Sequence, residues 1–398
     1  MRKSFKFKLY NSKHSMKLRK QLHIAAGIYN HFLALNKRYF KIYKKSLSLY
    51  QAQKHLTKLK KLEKYSWMRK LGSQASQEVL ERIDKGYKKF FRDLKSGIKT
   101  SPPKFKASRK YKSFTLKQAG YSLLEDNQIK IGKKIFKFWK SREIEGEIKT
   151  LTIKRDSIGD WFLIFSCEVK EFKPIKSNSK TGKIAGFDFG LTTFLTNQDD
   201  EEIKSELCLK KSLKELKKKS KVLSRKKKGS KNRAKARLSL ARLHRKVSNQ
   251  RRDAHFKLAK DLAEGHDLMF FEDLNMKWMM KTHGRKASDL GFAEFLSILE
   301  HQSKKYGALV HKIDRFYPSS QVCSKCLKKR EKKLLLWERT WTCTCGAVHK
   351  RDHNAAKNIL REGASSLGLC DGKTELRSAV SNSRIPLIQW REYVNVDY

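Results

Sequence analysis

Two acidic residues in this chain stand at the ends of apolar runs, where a carboxylate can face solvent and still be held by a core, and a third precedes a helical stretch. Asp188 lies in Ile184-Ala-Gly-Phe-Asp-Phe-Gly, Glu272 closes Leu268-Met-Phe-Phe-Glu, and Asp352 precedes a helical stretch expected to begin near His353. Separations of 84 and 80 residues suit acids on distinct elements of one α/β domain that converge on a cleft. Three carboxylates brought together repel one another unless divalent cations neutralise them. Two Mg²⁺ ions about 4 Å apart would grip a phosphodiester, one helping to form hydroxide and the other stabilising the leaving oxygen. Taken singly, each acid also fits a turn aspartate or an ion-paired or helix-capping glutamate. Glu272 is the sharper signal, because charge beside Met269-Phe-Phe is costly to bury. Asp273 competes with it, but points the other way if the chain is still extended there.

A second constellation is Cys323-x-x-Cys326, sixteen intervening residues, then Cys343-x-Cys345. Four soft thiolates at this spacing favour one Zn²⁺ in a closed, structural site. The second pair is tighter than the usual two-residue spacer, and Gly346 relieves the turn. His349 is an alternative ligand. Of seven cysteines, these four fall within 23 residues, which reads as a metal site and not a disulfide framework. Cys167 reads as core packing, and Cys208 and Cys370 carry no motif.

The partner is written in the charge. Lys and Arg number 93 against 39 acids, a formal net charge of +54. Such a chain repels itself unless a polyanion is near, so nucleic acid is the expected partner. Between Lys210 and Arg237 lie fifteen basic residues and one acid, Glu215. Lys217, Arg225, Lys227, Arg233 and Arg237 are the phosphate-contact candidates there, with Lys104 and Lys106 in Pro103-Lys-Phe-Lys. No apolar run approaches the roughly 20 residues that span a bilayer, and the basic start is followed by no apolar signal segment. A cytoplasmic protein without membrane contact is expected.

The elements that must position these residues follow from periodicity. Phe5 to Tyr10 alternates as a short strand with a basic face. Residues 15 to 95 carry helical spacing, including Ile24, Ile28, Phe32, then Val79, Leu80, Ile83, Tyr87, and Gly97 to Pro103 ends them. From 104 to 172 the period falls toward two, with strands at 112–116, 151–154 and 161–169. A strand, a helical insertion and more strands imply a β-barrel interrupted by helices. Ser177 to Gly182 reads as a polar linker, and 205 to 262 as a basic helical stretch. Gly291 to Tyr306 reads as an amphipathic helix, and Leu309 to Ile313 as a strand.

The chain resembles the TnpB family, transposon-encoded RNA-guided DNA nucleases thought ancestral to type V CRISPR effectors. The resemblance rests on Gly186-Phe-Asp-Phe-Gly, Phe271-Glu-Asp-Leu-Asn-Met, Phe316-Tyr-Pro-Ser-Ser-Gln-Val-Cys-Ser-Lys-Cys, Trp341-Thr-Cys-Thr-Cys-Gly and Asp352-His-Asn-Ala-Ala-Lys-Asn-Ile-Leu, in that order. It covers about residues 1 to 365. It implies a wedge β-barrel (1–14 and 100–175) interrupted by a helical recognition domain (15–99). It further implies a RuvC-like nuclease domain of RNase H fold (181–314 and 349–365) with an inserted zinc ribbon (315–348), then a tail (366–398).

By the same resemblance Asp188, Glu272 and Asp352 are the catalytic, Mg²⁺-binding acids, and Cys323, Cys326, Cys343 and Cys345 hold Zn²⁺. The partners would be a guide RNA from the transposon end and double-stranded target DNA. Double-strand cutting would occur beside a short transposon-adjacent motif, by a monomer on one RNA in a prokaryotic, nucleoid-associated setting. Gln74 and Gln77 lie in the helix that resembles the motif-reading one, and Gln can bond adenine edges; Tyr65, Trp67 and Lys70 are weaker candidates. The alternatives are an RNA-guided DNA-binding regulator without cleavage, a compact type V CRISPR nuclease and a plain RuvC-type resolvase. Two positions depart from the family pattern: Leu327 where glycine is usual, and Lys350 where an acid is common.

Overall fold

The computed structural model describes residues 2–10, 12, 14–125, 127–169, 181–205, 207–332, 334–335 and 337–369. The apolar segment expected at Ile385 to Tyr393 and most of the linker expected at 177–182 lie outside them. The chain divides into two compact units, Met1–Phe172 and Lys173–Tyr398.

In the first unit, strand β1 (Arg2–Leu9) is followed by helices α1 (Ser15–Tyr43), α2 (Leu49–Lys61) and α3 (Ser73–Lys95), with a 3-10 segment, Glu63–Leu71, before α3. Strands β2 (Ser113–Leu116), β3 (Tyr121–Leu124), β4 (Gln128–Ile131), β5 (Lys134–Trp139), β6 (Glu147–Arg155) and β7 (Trp161–Glu168) complete it. They form one antiparallel, nearly closed barrel sheet in the order β2-β6-β7-β1-β5-β4-β3. The alternation in β1 buries Phe5, Phe7 and Leu9 and leaves the lysines outside. Phe7, Phe138 and Phe165 meet inside with ring centres 5.6 to 6.1 Å apart. Cys167 is part of this core, fully buried. Ser48 starts α2 with a reciprocal capping box to Gln51. The strand–helices–strands order thus matches the interrupted barrel expected from the sequence.

The second unit begins with β8 (Ile184–Phe189), β9 (Leu195–Asn197) and β10 (Glu202–Ile203). Helices α4 (Cys208–Arg225) and α5 (Lys231–Gly265) follow, then β11 (Leu268–Glu272), α6 (Met276–Leu290), α7 (Phe292–Tyr306) and β12 (Leu309–Ile313). The sheet order is β10-β9-β8-β11-β12, with β8, β11 and β12 parallel and β9 and β10 antiparallel. This is the RuvC-like α/β sheet anticipated above. The basic helical stretch is built as two helices. Gly229, with φ of 88°, breaks it, and Ser230 caps α5 by accepting the Arg233 N–H. One guanidinium nitrogen of Arg233 donates to the carbonyls of Leu223 and Lys226, both 2.8 Å, closing the end of α4.

A small two-stranded sheet, β13 (Thr340–Thr342) and β14 (Val348–Lys350), precedes α8 (Arg351–Ser366). Helix α8 begins two residues earlier than expected, so Asp352 lies in its first turn and not ahead of it. Asparagines on α8 tie down the loop leading into the cysteine module. Asn354 Nδ2 donates to the Val322 carbonyl at 2.8 Å, and Asn358 Nδ2 to those of Ser319 and Val322 at 2.8 and 2.7 Å. Both are buried, so these bonds satisfy groups that water cannot reach.

Helix α8 also sits directly on the sheet. A Cβ on Gly186 would lie 2.5 Å from the Ala356 carbonyl oxygen and 2.6 Å from the Leu360 nitrogen. Those are backbone atoms, which cannot swing aside. Gly186→Ala should therefore lower stability by about 3 kcal/mol or more, at the strained end of overpacking. Gly284→Ala, in a helix interior with nothing within 4 Å of the new methyl, should instead add up to about 1 kcal/mol. Denaturant melts of the two variants beside the parent check both signs.

Candidate active site

Each of the three acids owes its place to the packing of α8. Side chains two apart on a strand share a face. Gly186 meets α8, so Asp188 in β8 projects on that same side, beyond the contact. On the neighbouring strand, a Cβ on Gly363 of α8 would collide with the Phe270 ring, which puts Phe270 against the helix. Glu272, two residues on, therefore shares the helix face too. Strands β8 and β11 pair in parallel, Phe187 beside Phe271, so Asp188 and Glu272 occupy the next rung together. Asp352 lies one turn before Ala356 on α8 and so returns to the same end of the sheet.

Electrostatics report the convergence. The Asp188 carboxyl is pushed well above the usual carboxylate range, first by burial and then by the charges of Glu272 and Asp352. Arg351 and the Phe189 N–H pull the other way. Burial likewise raises Glu272, partly offset by the Ser319 hydroxyl, which donates to its Oε1 at 3.0 Å. Asp352 accepts from Arg339 at 3.4 Å. Asp273 turns away from this cluster, and Arg315 binds both its carboxylate and its carbonyl oxygen. The donor set is hard oxygen, which suits divalent cations such as Mg²⁺, although the three carboxylates are not drawn together as closely as a single shared ion requires.

Next in the chain, Cys323, Cys326, Cys343 and Cys345 bring their sulfurs within 4.8 Å of one another. The Cys323–Cys345 and Cys326–Cys343 pairs are 3.7 and 3.5 Å apart. Sulfurs at about 2.3 Å from one tetrahedral Zn²⁺ stand roughly 3.8 Å apart, so the cluster fits that ion. Two tight turns shape it. In one, Gly346 takes a φ of 80° and its N–H bonds the Cys343 carbonyl; in the other, Leu327 takes 63° and bonds that of Cys323. The leucine has thus kept the left-handed turn at the cost of Cβ crowding. His349 Nε2 lies 3.0 Å from Cys323 Sγ, outside the four-sulfur set. Lys350, the other departure, pairs with Asp200.

The nucleic-acid candidates divide. Lys217, Arg225, Lys227 and Arg237 are exposed on α4, α5 and the turn between them, whereas Arg233 is committed to closing α4. Lys104 is exposed, and Lys106 lies over the Tyr29 ring at 4.9 Å. Gln74 accepts the backbone N–H groups of Lys117, Gln118 and Ala119 through one oxygen, a structural commitment. Gln77 is exposed and lines a groove with Tyr50, Lys54, Lys58 and Lys61. Trp67 is half-buried and packs over Gly27, while Tyr65 packs against the core and Lys70 is exposed.

Sequence reasoning did not single out Ser319, Asn354, Asn358 or Gly363, although all but Gly363 sit inside the quoted motifs. The Asn354-x-x-x-Asn358 spacing, one helical turn, was the available signal for the pair.

Comparison with known proteins follows the same segments. The family described as "Probable transposase" matches residues 165–283, and that described as "Cas12f1-like, TNB domain" matches 292–359. A Streptomyces pristinaespiralis protein described as "Putative RNA-guided DNA endonuclease" is 29% identical over 96% of this chain and 95% of its own length. The Escherichia coli K12 protein described as "Putative RNA-guided DNA endonuclease InsQ" is 25% identical over 78% of this chain and 80% of its own. In fold, the chain is similar to the protein of a Cas12f1–sgRNA–target DNA complex, with a TM-score of 0.56 at 15% identity, over 90% of this chain and 98% of that one. The similarity runs through both units, and it is family-level homology to TnpB-like and Cas12f1-like proteins.

Proposed function

We propose that the chain is an RNA-guided, metal-dependent DNA endonuclease that cuts both strands of guide-complementary targets beside a short adjacent motif. One observation carries the chemistry: Asp188, Glu272 and Asp352 share the end of one sheet face, with Asp188 disfavoured as a carboxylate first by burial and then by its two neighbours. Such a site is built to be neutralised by cations. Bound Mg²⁺ would polarise the scissile phosphate and make a water acidic enough to attack at neutral pH. Asp188 and Glu272, from rigid adjacent strands, would fix the ligand positions, and Ser319 would hold the Glu272 carboxylate in orientation. Asp352 would exchange its Arg339 contact for a place in the site.

The four cysteines would hold one structural Zn²⁺. The relatives' descriptions name RNA-guided endonucleases, and a chain of +54 suits a guide RNA and a DNA target as partners. Base pairing would supply most of the sequence choice, and the protein would read a short duplex motif. We assign the barrel and recognition roles to 1–14 with 100–175 and to 15–99, and the nuclease and zinc-ribbon roles to 181–314 with 349–365 and to 315–348.

The direct test is a plasmid library carrying the guide target beside randomised bases, exposed to protein co-expressed with its native flanking DNA. Cutting that requires one short flanking motif, needs Mg²⁺ and disappears in Asp188→Ala is the expected result. Guide-dependent binding without cutting would replace this reading with the regulator.

The crowded acid gives a second expectation. An acid whose folded pKa lies above its unfolded one, near 4, destabilises the fold increasingly as pH rises from the unfolded toward the folded value. The penalty is absent well below pH 4 and largest above the folded pKa. Without divalent cation, Asp188→Asn should raise the melting temperature at pH 7.5, by about 2–4 °C for each kcal/mol released. The gain should shrink toward pH 4, and Mg²⁺ at pH 7.5 should close the gap by stabilising the parent. Calorimetric scans at the two pH values and with Mg²⁺ decide it.

The zinc assignment is tested at the leucine turn. A left-handed leucine costs roughly 1–2 kcal/mol, more than the about 0.4–1 kcal/mol of extra chain entropy that glycine brings to the unfolded state. Leu327→Gly should therefore slow zinc release to a chromogenic chelator several-fold, with one equivalent of Zn²⁺ per chain in both proteins.

A further inference from the structure

Two large apolar side chains project almost wholly into solvent: Phe316 is 87% exposed and Trp337 75%, the highest values among the described large hydrophobic residues. Rings of this size are ordinarily buried, and neither is a loose end. Phe316 is flanked on both sides by residues fixed to the end of β11. Arg315 before it binds Asp273, and Ser319 after it donates to Glu272. Tyr317 packs into the core beside Phe270 and Ile359, and the Phe316 N–H is held by Asp314 at 2.6 Å. Trp337 is placed in the same way at the start of α8. Its turn is closed by reciprocal bonds between Leu335 and Glu338. Arg351 donates to the Leu335 carbonyl at 2.9 Å, and Arg339 bonds both the Arg351 N–H, through its carbonyl, and Asp352.

Each ring is therefore anchored beside a different acid of the proposed active site, one by Glu272 and one by Asp352, and each leaves its aromatic face free. We propose that Phe316 and Trp337 are base-stacking platforms that seat an unpaired DNA strand across the acids. Every base offers a π-face, so stacking is indifferent to sequence, as a guide-programmed enzyme requires. Bases inside a duplex already stack on their neighbours, so the same rings would favour a displaced or unwound strand. The inference rests on the nuclease reading and adds two residues that would touch substrate.

The test uses the full-length protein with its co-expressed RNA and targets carrying a single 2-aminopurine at successive positions near the cut. In an Asp188→Ala background, which separates seating from cutting, fluorescence should be quenched at one or two positions. Phe316→Ala and Trp337→Ala should each relieve the quench at one position, and Phe316→Tyr should retain it. With Asp188 intact, the double alanine variant should cut about 10- to 100-fold more slowly, with unchanged melting temperature and target binding. An abasic site at the quenched position should slow the parent as much and add nothing to the double variant. Quenching and cutting that are unaltered in the double variant would overturn the proposal while leaving the nuclease reading intact. A parent that seats the strand with quenching but never cuts would sink the nuclease reading and spare the platforms.

Discussion

Everything at the proposed active site depends on how closely one helix lies on two strands. Helix α8 touches β8 at a residue with no side chain and touches β11 where its own glycine meets a phenylalanine ring. Gly186 and Gly363 remove the atoms that would hold the layers apart. Closeness then converts into chemistry through ordinary periodicities: two residues along each strand, and one turn back along the helix. Asp188, Glu272 and Asp352 are at those offsets from the contacts. A spacer of one methyl group at Gly186 would displace the first and third acids relative to each other, although neither is altered.

The same helix links the acid cluster to the cysteine module. Asn354 and Asn358 bind the carbonyls of Ser319 and Val322 just ahead of Cys323, and the Ser319 hydroxyl orients Glu272. The inserted ribbon is thus tied to the helix that carries Asp352 and to the strand end that carries Glu272. Loss of metal at the cysteines would slacken the loop that steadies an acid on another strand. The proposed metal at the cysteines and the proposed metal at the acids would then be coupled through a few buried hydrogen bonds from asparagine amides, each of which is strong because its partners have no water to turn to.

Sequence alone pointed to the acids and the cysteines because both classes are chemically conspicuous. A carboxylate ending an apolar strand is costly unless it is used, and four thiols within 23 residues are the natural ligand set of a single soft metal ion. The interrupted barrel was also legible, since β1 and β7 alternate cleanly and α1 and α3 do not. Contacts that depend on absent atoms were hidden: Gly363 carries no pattern, and its role exists only against Phe270. The boundary inside the basic helical stretch was left unplaced, because fifteen lysines and arginines drown the Gly229-Ser230 stop signal. Gln74 and Arg233 show a further limit. Both types suit nucleic acid, yet here one oxygen collects three backbone N–H groups and one guanidinium closes a helix end. Residue type gives capacity, and geometry decides how much of it remains free.

The basic hairpin raises the remaining physical question, which is why so charged an element folds. Its own apolar cluster is small: Cys208, Leu216, Leu243 and Val247, with Leu209 and Leu240 at its margin. Only one ion pair, Lys219 with Glu215, offsets like charge along α4 among the described residues. Burial of four side chains contributes roughly 6–12 kcal/mol at most, against repulsion spread over both helices and the entropy of ordering them. The far end of α5 packs into the core of its unit through Ala259 and Leu262, and specific closures hold the rest: Asp289 accepts the N–H groups of Leu209 and Lys210 at the start of α4, Arg233 seals its end, and Ser230 starts α5. Those closures fix the backbone and leave most of the cations facing outward. Phosphates would relieve the repulsion that the protein's own acids do not, so the element is best stabilised by the partner for which its charge suits it.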